Sequence, residues 1–269
     1  MDNRPIGVFD SGLGGLTVVK ELQQILPQED IVYFGDTGRV PYGTRSRDTI
    51  LRYAAQDIAF LQQKQVKMVI AACGTVSSVL PEETAQEFSF PYTGVVLPAS
   101  MAAAAATKNG KIGAIGTTAT IRSRSYERAI RSVKPQAEVI GIACPLFVPL
   151  VENGYIGRDN QVTRLVAEDY LAPLKAAGVD TLILGCTHFP IIREIVADVM
   201  GKGVVLIDPG AETAHSAAST LQAAGMLHEP EHTGRCSFYV SDSADSFSDT
   251  ALLFLGRPVR DDVELVSAE

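Results

Sequence analysis

Two short apolar runs constrain this chain more than any other feature. Residues 68–72 read Met-Val-Ile-Ala-Ala and break into Cys73-Gly74-Thr75, while residues 181–185 read Thr-Leu-Ile-Leu-Gly and break into Cys186-Thr187-His188. Each has buried-strand character and stops at a cysteine with a threonine within two positions. The cysteines stand 113 positions apart (73 to 186). Repetition of one strand end at that spacing predicts two similar α/β lobes.

The flanking sequence has the alternation that such lobes need. A strand at 6–9 enters the glycine-rich turn Asp10-Ser11-Gly12-Leu13-Gly14-Gly15, and a helix at 16–26 stops at Pro27. A strand at 31–34 ends in Gly35-Asp36-Thr37, then come the loop Pro41-Tyr42-Gly43, a helix at 46–64, and a helix at 77–87 after the first cysteine. The second round reads helix 99–107, strand 111–115, turn Gly116-Thr117-Thr118-Ala119-Thr120, helix 123–132, strand 138–143, a loop at Cys144-Pro145 and helix 161–177. A strand at 204–207, a helix from Asp208-Pro209-Gly210 to 224, a strand at 237–240, a helix at 246–255 and a strand at 259–266 complete the chain. Strand and helix alternate, so the sheets are expected to be largely parallel in three-layer lobes. The first lobe is expected to hold 1–97 plus 209–269 and the second 98–208, related by a pseudo-twofold axis with the active site between them.

Of 269 residues 46% are hydrophobic, enough for a sizeable core. Lys and Arg number 23 against 31 Asp and Glu, and no basic run could neutralise several phosphates, so nucleic acid and anionic membrane are excluded as partners. No apolar run approaches the roughly 20 residues of a membrane span, and residues 1–5 are too short and polar for a secretory leader, so a cytoplasmic protein is expected. Cysteines at 73, 144, 186 and 236 form no CxxC pair, which favours reduced thiols over disulfides or a zinc knuckle.

In parallel sheets ligands bind beyond the carboxyl ends of the strands, and here those ends carry Asp10-Ser11, Asp36, Cys73, Thr117 and Cys186. Two thiols facing one substrate from opposite lobes can take a proton from one side of a carbon and return one on the other, inverting it. His188 and Asp10 are the candidate helpers of Cys186 and Cys73. Ser11, Thr75, Thr117, Thr120 and Thr187 can hold a carboxylate, although Ser and Thr at such places are also ordinary helix caps. A cysteine at a strand end is commonly an inert small hydrophobe, and only the matched positions argue otherwise. No lysine offers an anchor for pyridoxal phosphate, so no cofactor is expected. Gly12-x-Gly14-Gly15 with Asp36 has the placement of a dinucleotide site, but Thr17 stands where the third glycine belongs. His228-Glu229-Pro230-Glu231-His232 has the letters of the HExxH zinc motif, yet Pro230 opposes the helix that motif requires. A metal centre on Cys73, Cys186 and His188 would have three evident ligands and would consume the thiols, so no metal is expected.

These pieces, with GVFDSGLGG, YFGDTGRVPYG, GTTAT, CPLFVPLVE and LGCTHFP in order along nearly the whole chain, resemble the glutamate racemases of the cofactor-independent aspartate/glutamate racemase family. The resemblance implies interconversion of L- and D-glutamate for bacterial peptidoglycan. It implies that Cys73 takes the proton from D-glutamate and Cys186 from L-glutamate, with Asp10 and His188 assisting and Glu152 near His188. It also implies Asp10, Ser11, Tyr42, Gly43, Gly74, Thr75, Thr117, Thr120, Thr187 and His188 around the substrate. Gly74 departs from the family's usual Asn and offers no side-chain amide. Racemisation of aspartate, or silent binding of an acidic amino acid, are the alternatives. A homodimer is expected as the commonest assembly, and no long N-terminal extension of the kind some relatives use for activator control is expected.

Overall fold

A computed structural model describes residues 1–80, 88–259 and 263–267. The first sheet contains β1 (Ile6–Asp10), β2 (Ile31–Gly35), β3 (Met68–Ala71), β4 (Tyr92–Gly94), β9 (Cys236–Val240) and β10 (Val263–Leu265) in the order β10-β9-β2-β1-β3-β4, every pair parallel. The second contains β5 (Lys111–Gly116), β6 (Glu138–Ala143), β7 (Thr181–Leu184) and β8 (Val205–Ile207) in the order β6-β5-β7-β8, also parallel. Parallel strands covered on both faces must be apolar throughout, and β1, β2, β3 and β7 are buried at every residue.

The shared order is the structural form of the repeat. In each sheet the second strand lies to one side of the first and the third to the other, so β3 and β7 are topological equivalents. Chain direction across the sheet reverses between β1 and β3 and between β5 and β7, and a crevice opens at such points. Asp10 and Cys73 stand at one crevice, Thr117 and Cys186 at the other. The last strands, β9 and β10, extend the first sheet beyond β2. Its helix α1 (Leu16–Ile25) packs on α10 (Pro209–Ala223), and one buried cluster joins both sheets, with Ile6 and Tyr33 from the first and Leu182 and Leu184 from the second.

Local sequence accounts for most boundaries. Helix α2 (Arg47–Gln63) starts where Ser46 accepts a bond from the Thr49 N–H, and α8 (Gln161–Ala177) runs from a capping Asn160 to Gly178, whose φ of 70° suits a residue without Cβ. Several boundaries differ from expectation. Helix α3 (Gly74–Val79) begins directly after Cys73 rather than at 77, and the anticipated stretch to 87 falls partly outside the described residues. Helix α4 (Val96–Ala106) starts before 99 because Pro98 fits a first turn, where its missing N–H has no partner to lose. The helix expected at 123–132 is α6 (Ser125–Val133), and the turn expected at 116–120 runs into a separate helix, α5 (Thr118–Ser123), with Arg124 at φ 54° between the two. The three-residue strand β4 and helix α7 (Phe147–Glu152), which contains Pro149, are additions. The remaining helices are α9 (Arg193–Met200) and α11 (Ala244–Leu255), and of the final strand expected at 259–266 residues 260–262 lie outside the described set. Among the described residues no helix is long and apolar enough to cross a membrane.

At the amino ends of the first sheet's strands Lys67 and Glu29 form a fully buried ion pair at 2.5 Å. Lys67 Nζ also donates to the Asp2 and Met226 carbonyls, and Glu29 Oε1 accepts from the His228 N–H, so one charge pair ties residue 2 and the α10–β9 loop to the sheet. Removing one member strands the other in a medium that cannot solvate it. Lys67→Met is therefore expected to cost about 3–5 kcal/mol in urea unfolding. Adding Glu29→Gln to that variant is expected to recover part of the loss, and equal stability of the single variant and the wild type would show that the pair contributes nothing.

Candidate active site

Each thiol sits two residues beyond its strand with its helper nearby. Cys73 follows β3, and its Sγ is 3.5 Å from Ser11 Oγ, just past β1. Asp10, which ends β1, is 1% exposed; its Oδ2 accepts from the Gly12 N–H at 2.9 Å, and its carboxyl also bonds the Cys73 side chain. Cys186 follows β7, with its Sγ 3.9 Å from His188 Nδ1. The opposite ring nitrogen, Nε2, is 2.9 Å from Glu152 Oε1 at the end of α7. The two thiols thus have a carboxyl neighbour on one side and an imidazole backed by a carboxylate on the other.

The lobes meet at these same turns. A Cβ built on Gly74 would lie 2.7 Å from the Gly185 carbonyl oxygen and 3.8 Å from Cys186 Cα, so the two cysteine turns touch backbone to backbone. Thr75 Oγ1 is 3.1 Å from Thr117 Oγ1, which is 3.0 Å from Thr120 Oγ1. Gly14 has Thr187 Oγ1 and His188 Nδ1 where a Cβ would be, and Thr17 Oγ1 reaches the Thr187 carbonyl at 3.1 Å. Asp10, Cys73, Thr75, Thr120, Cys186, Thr187 and His188 are all buried at this junction.

Burial and neighbours set opposite charge states on the two sides. Burial and the adjacent Asp10 carboxylate push the Cys73 thiol up to about 12, with the Ser11 hydroxyl only partly opposing, so the group is a neutral thiol at physiological pH. Burial likewise raises Asp10, against bonds from the Gly12 and Gly15 N–H groups. Burial opposes charge on His188, but bonds to Cys186 and Glu152 outweigh it and hold the imidazole up to about 10, hence as a cation.

Tyr42 and Gly43 enter differently. The Tyr42 ring is buried, and its hydroxyl donates to Asp36 Oδ2 and reaches Asp57 Oδ2 at 3.2 Å, which leaves the backbone to face the junction. Arg39 bridges the same carboxylates, and Ser241 Oγ donates to Asp36 Oδ1 at 2.7 Å. Burial and the nearby Asp36 raise Asp57 well above the usual carboxylate range. This network pins the loop so that Gly43 packs on Thr117, where a Cβ would meet the Thr117 Cβ at 3.2 Å. Sequence reading missed Asp57 and Thr17. A carboxylate on the buried stripe Ile50, Ala54, Asp57, Ile58 and Leu61 of α2 is the signal that marks the first.

The competing chemistries fit less well. Asp36, the ribose-binding acid of the dinucleotide reading, is engaged by Arg39, Tyr42 and Ser241, and the space beside Gly14 is filled by Thr187 and His188. Among the described residues, the Cys73, Cys186 and His188 set forms no metal-binding group. A cavity of about 1040 Å³ opens beside α3 and α5, lined by Gly43, Arg45, Arg47, Arg122 and Arg128 among others, and neither sulfur lines it.

Known proteins resemble this one across its length. The family model described as Asp/Glu/Hydantoin racemase matches residues 6–217. A glutamate racemase of Geobacter metallireducens is 45% identical over 258 residues, covering 96% of this chain and 95% of the relative. Among solved structures, a glutamate racemase isoform from Bacillus anthracis superposes with a TM-score of 0.94 at 35% identity, covering 99% of this chain and 98% of that one. The glutamate racemase of Francisella tularensis, solved in complex with D-glutamate, gives 0.91 at 39% identity, covering 100% and 99%. With matched cysteines ending equivalent strands in a two-sheet frame that these structures share, the chain belongs to the Asp/Glu/hydantoin racemase family.

Proposed function

We propose that this chain is a glutamate racemase that inverts its substrate between Cys73 and Cys186 without a cofactor, supplying D-glutamate for bacterial peptidoglycan. One observation carries the reading: the two thiol-bearing turns, equivalent in topology, meet backbone to backbone across the junction of two lobes. Glutamate rather than aspartate follows from relatives named for glutamate over nearly the full chain. The lobes divide at 97/98 and 208/209. The enzyme acts in the cytoplasm, where its four cysteines stay reduced, and assembles as a homodimer, the commonest form for such a protein.

With L-glutamate bound, the Cys186 thiolate takes the α-proton and becomes a thiol. The electron pair left on Cα spreads into the α-carboxylate, whose growing charge is met by the hydroxyls of Ser11, Thr75, Thr117, Thr120 and Thr187 and by the pinned backbone of Tyr42 and Gly43. Cys73 then donates its proton to the opposite face, which leaves a thiolate beside Asp10 and a product of inverted configuration. The His188 cation lies close to the sulfur that must start negative, and the high Cys73 value keeps the other sulfur protonated. The unliganded enzyme is therefore poised for the L-isomer. D-glutamate requires the reverse charge pattern.

Cys73→Ala and Cys186→Ala are each expected to lower turnover by about 10²–10⁴-fold, followed as loss of the circular dichroism of L-glutamate. In D2O the wild type is expected to place deuterium at Cα of the product. Near-normal turnover in either variant removes the two-thiol mechanism, and saturable binding with unchanged dichroism in the wild type makes the chain a binding protein.

Since the folded His188 value lies above its ordinary value of about 6.5, the imidazolium contribution to stability is fully present below that pH and is lost as pH rises through about 10. Glu152→Gln removes one of the partners that hold the charge. The alkaline limb of kcat/KM for L-glutamate is expected to move to lower pH, together with the His188 ring titration seen by NMR. An unmoved ring titration would show that Glu152 does not support the cation.

Gly74→Ala places a Cβ against a backbone carbonyl that no side-chain rotation can clear. Expected are a stability loss of about 1–3 kcal/mol and a lower kcat/KM as the turns are pushed apart. Unchanged kinetics and stability would show slack between the lobes.

A further inference from the structure

The His-Glu-Pro-Glu-His segment, which the racemase chemistry does not use, lies in the loop between α10 and β9 and not in a helix. It cannot be the helical zinc-protease motif. The fold nevertheless brings its two histidines together. Their rings lie 3.8 Å apart, tilted by 19°, and His232 Nε2 is 2.9 Å from Asp30 Oδ1 at the start of β2. A ring nitrogen from each histidine and a carboxylate oxygen of Asp30 all lie within 4.8 Å of one another. His228 is 8% exposed, and among the described residues its buried Nδ1 has no hydrogen-bond partner. An unsatisfied buried nitrogen of this kind costs about 1–3 kcal/mol unless something bonds it.

We propose that Asp30, His228 and His232 form a zinc site that fastens the α10–β9 loop to the first sheet, separate from the thiol centre. Two imidazoles and one carboxylate are a donor set that zinc accepts at about 2.0–2.2 Å, whereas magnesium and calcium prefer all-oxygen ligands. The backbone around the site is already fixed. The His228 N–H donates to Glu29 Oε1 at 2.7 Å, the Arg235 N–H to Asp30 Oδ1 at 2.8 Å, and the Gly234 N–H to the Pro27 carbonyl at 2.9 Å. Loading requires only that the stacked rings turn about their Cβ–Cγ bonds and that the three ligand atoms draw together. A cavity of about 390 Å³ lined by Met1, Gln28, Leu227 and His228 gives a way in and room for water as a fourth ligand. The site lies at the amino end of β2 and the catalytic residues at the carboxyl ends, so a five-residue strand, about 17 Å, separates them. The metal is structural there. It ties residue 30 to residues 228 and 232 and releases protons from any charged imidazole as it binds.

The test uses the full chain, freed of metal by chelator and compared with His228→Ala and His232→Gln. Zinc is titrated by calorimetry and cobalt(II) by visible absorption. Expected for the wild type are one equivalent of zinc, a rise in Tm on loading, and cobalt d–d bands without the intense thiolate-to-cobalt charge-transfer band. Both variants are expected to lose affinity by more than the 10–100-fold typical of removing an outer-shell partner, and to lose the zinc-dependent rise in Tm. Racemisation without metal is expected to be the same in all three proteins, which also reports that the variants are folded. A charge-transfer band would place the metal on Cys73 or Cys186 and overturn the proposal. Equal zinc affinity in wild type and variants, or no binding by the wild type at millimolar zinc, would overturn it as well. None of these outcomes depends on whether glutamate is the substrate.

Discussion

The constraint on which the site depends is the contact of two backbones, Gly74 against Gly185, where the lobes meet. Everything chemical is arranged around it. Two thiols can serve one stereocentre only if the turns that carry them approach closely, and a Cβ in that gap would stand 2.7 Å from a carbonyl oxygen. Gly14 meets the same demand a few residues away, where Thr187 and His188 occupy the place of its absent side chain. Of the glycines that looked like a phosphate cradle, Gly14 is spent on bringing the lobes together, while Gly12 and Gly15 pack within the first lobe. Gly74 offers proximity rather than a side-chain donor, and beside it the Thr117 hydroxyl lies within bonding distance of both Thr75 and Thr120.

The two halves match in topology but differ in charge, and the difference comes from what each strand end faces. Cys73 shares a buried pocket with Asp10, so negative charge on the sulfur is opposed twice, by burial and by a carboxylate. Cys186 faces His188, whose cation is held by bonds to Cys186 and to Glu152. A symmetric pair of thiols would present the substrate with two neutral groups or two charged ones. Proton transfer through a carbon needs one of each, and in the mechanism proposed above the unequal helpers Asp10 and His188 supply that difference.

Strands were the most legible part of the chain, because covered parallel strands must be apolar along their whole length and β1, β2, β3 and β7 leave few alternatives. The pairing of Cys73 with Cys186 was also legible, since it needs only equivalent strand ends. What stayed hidden depends on contacts between distant segments. Glu152 sits at the end of α7, a helix masked in the sequence by Pro149, and lies 36 positions from the histidine it holds, so only the family resemblance could mark it. Tyr42 could be placed near the site by that resemblance, yet nothing local shows that its hydroxyl turns inward to Asp36 and Asp57. Pro230 rightly ruled out a helix at His228 to His232, but a motif defined by its helix says nothing about rings stacked across a loop.

The ends of the first sheet's strands divide labour along one direction. At the carboxyl ends the strands release short turns whose polar groups are kept buried and unequal, a condition that costs stability and suits chemistry. At the amino ends the same strands are held by charge: Lys67 and Glu29 are paired where water does not reach, and Glu29 also grips the loop that carries His228. Because β1, β2 and β3 pair in register from one end to the other, fixing their amino ends limits how far their carboxyl ends can shift. A junction with so little clearance at Gly74 tolerates little such motion. The buried charge at the far end of the first sheet therefore steadies the strand that leads to Cys73 from its opposite end.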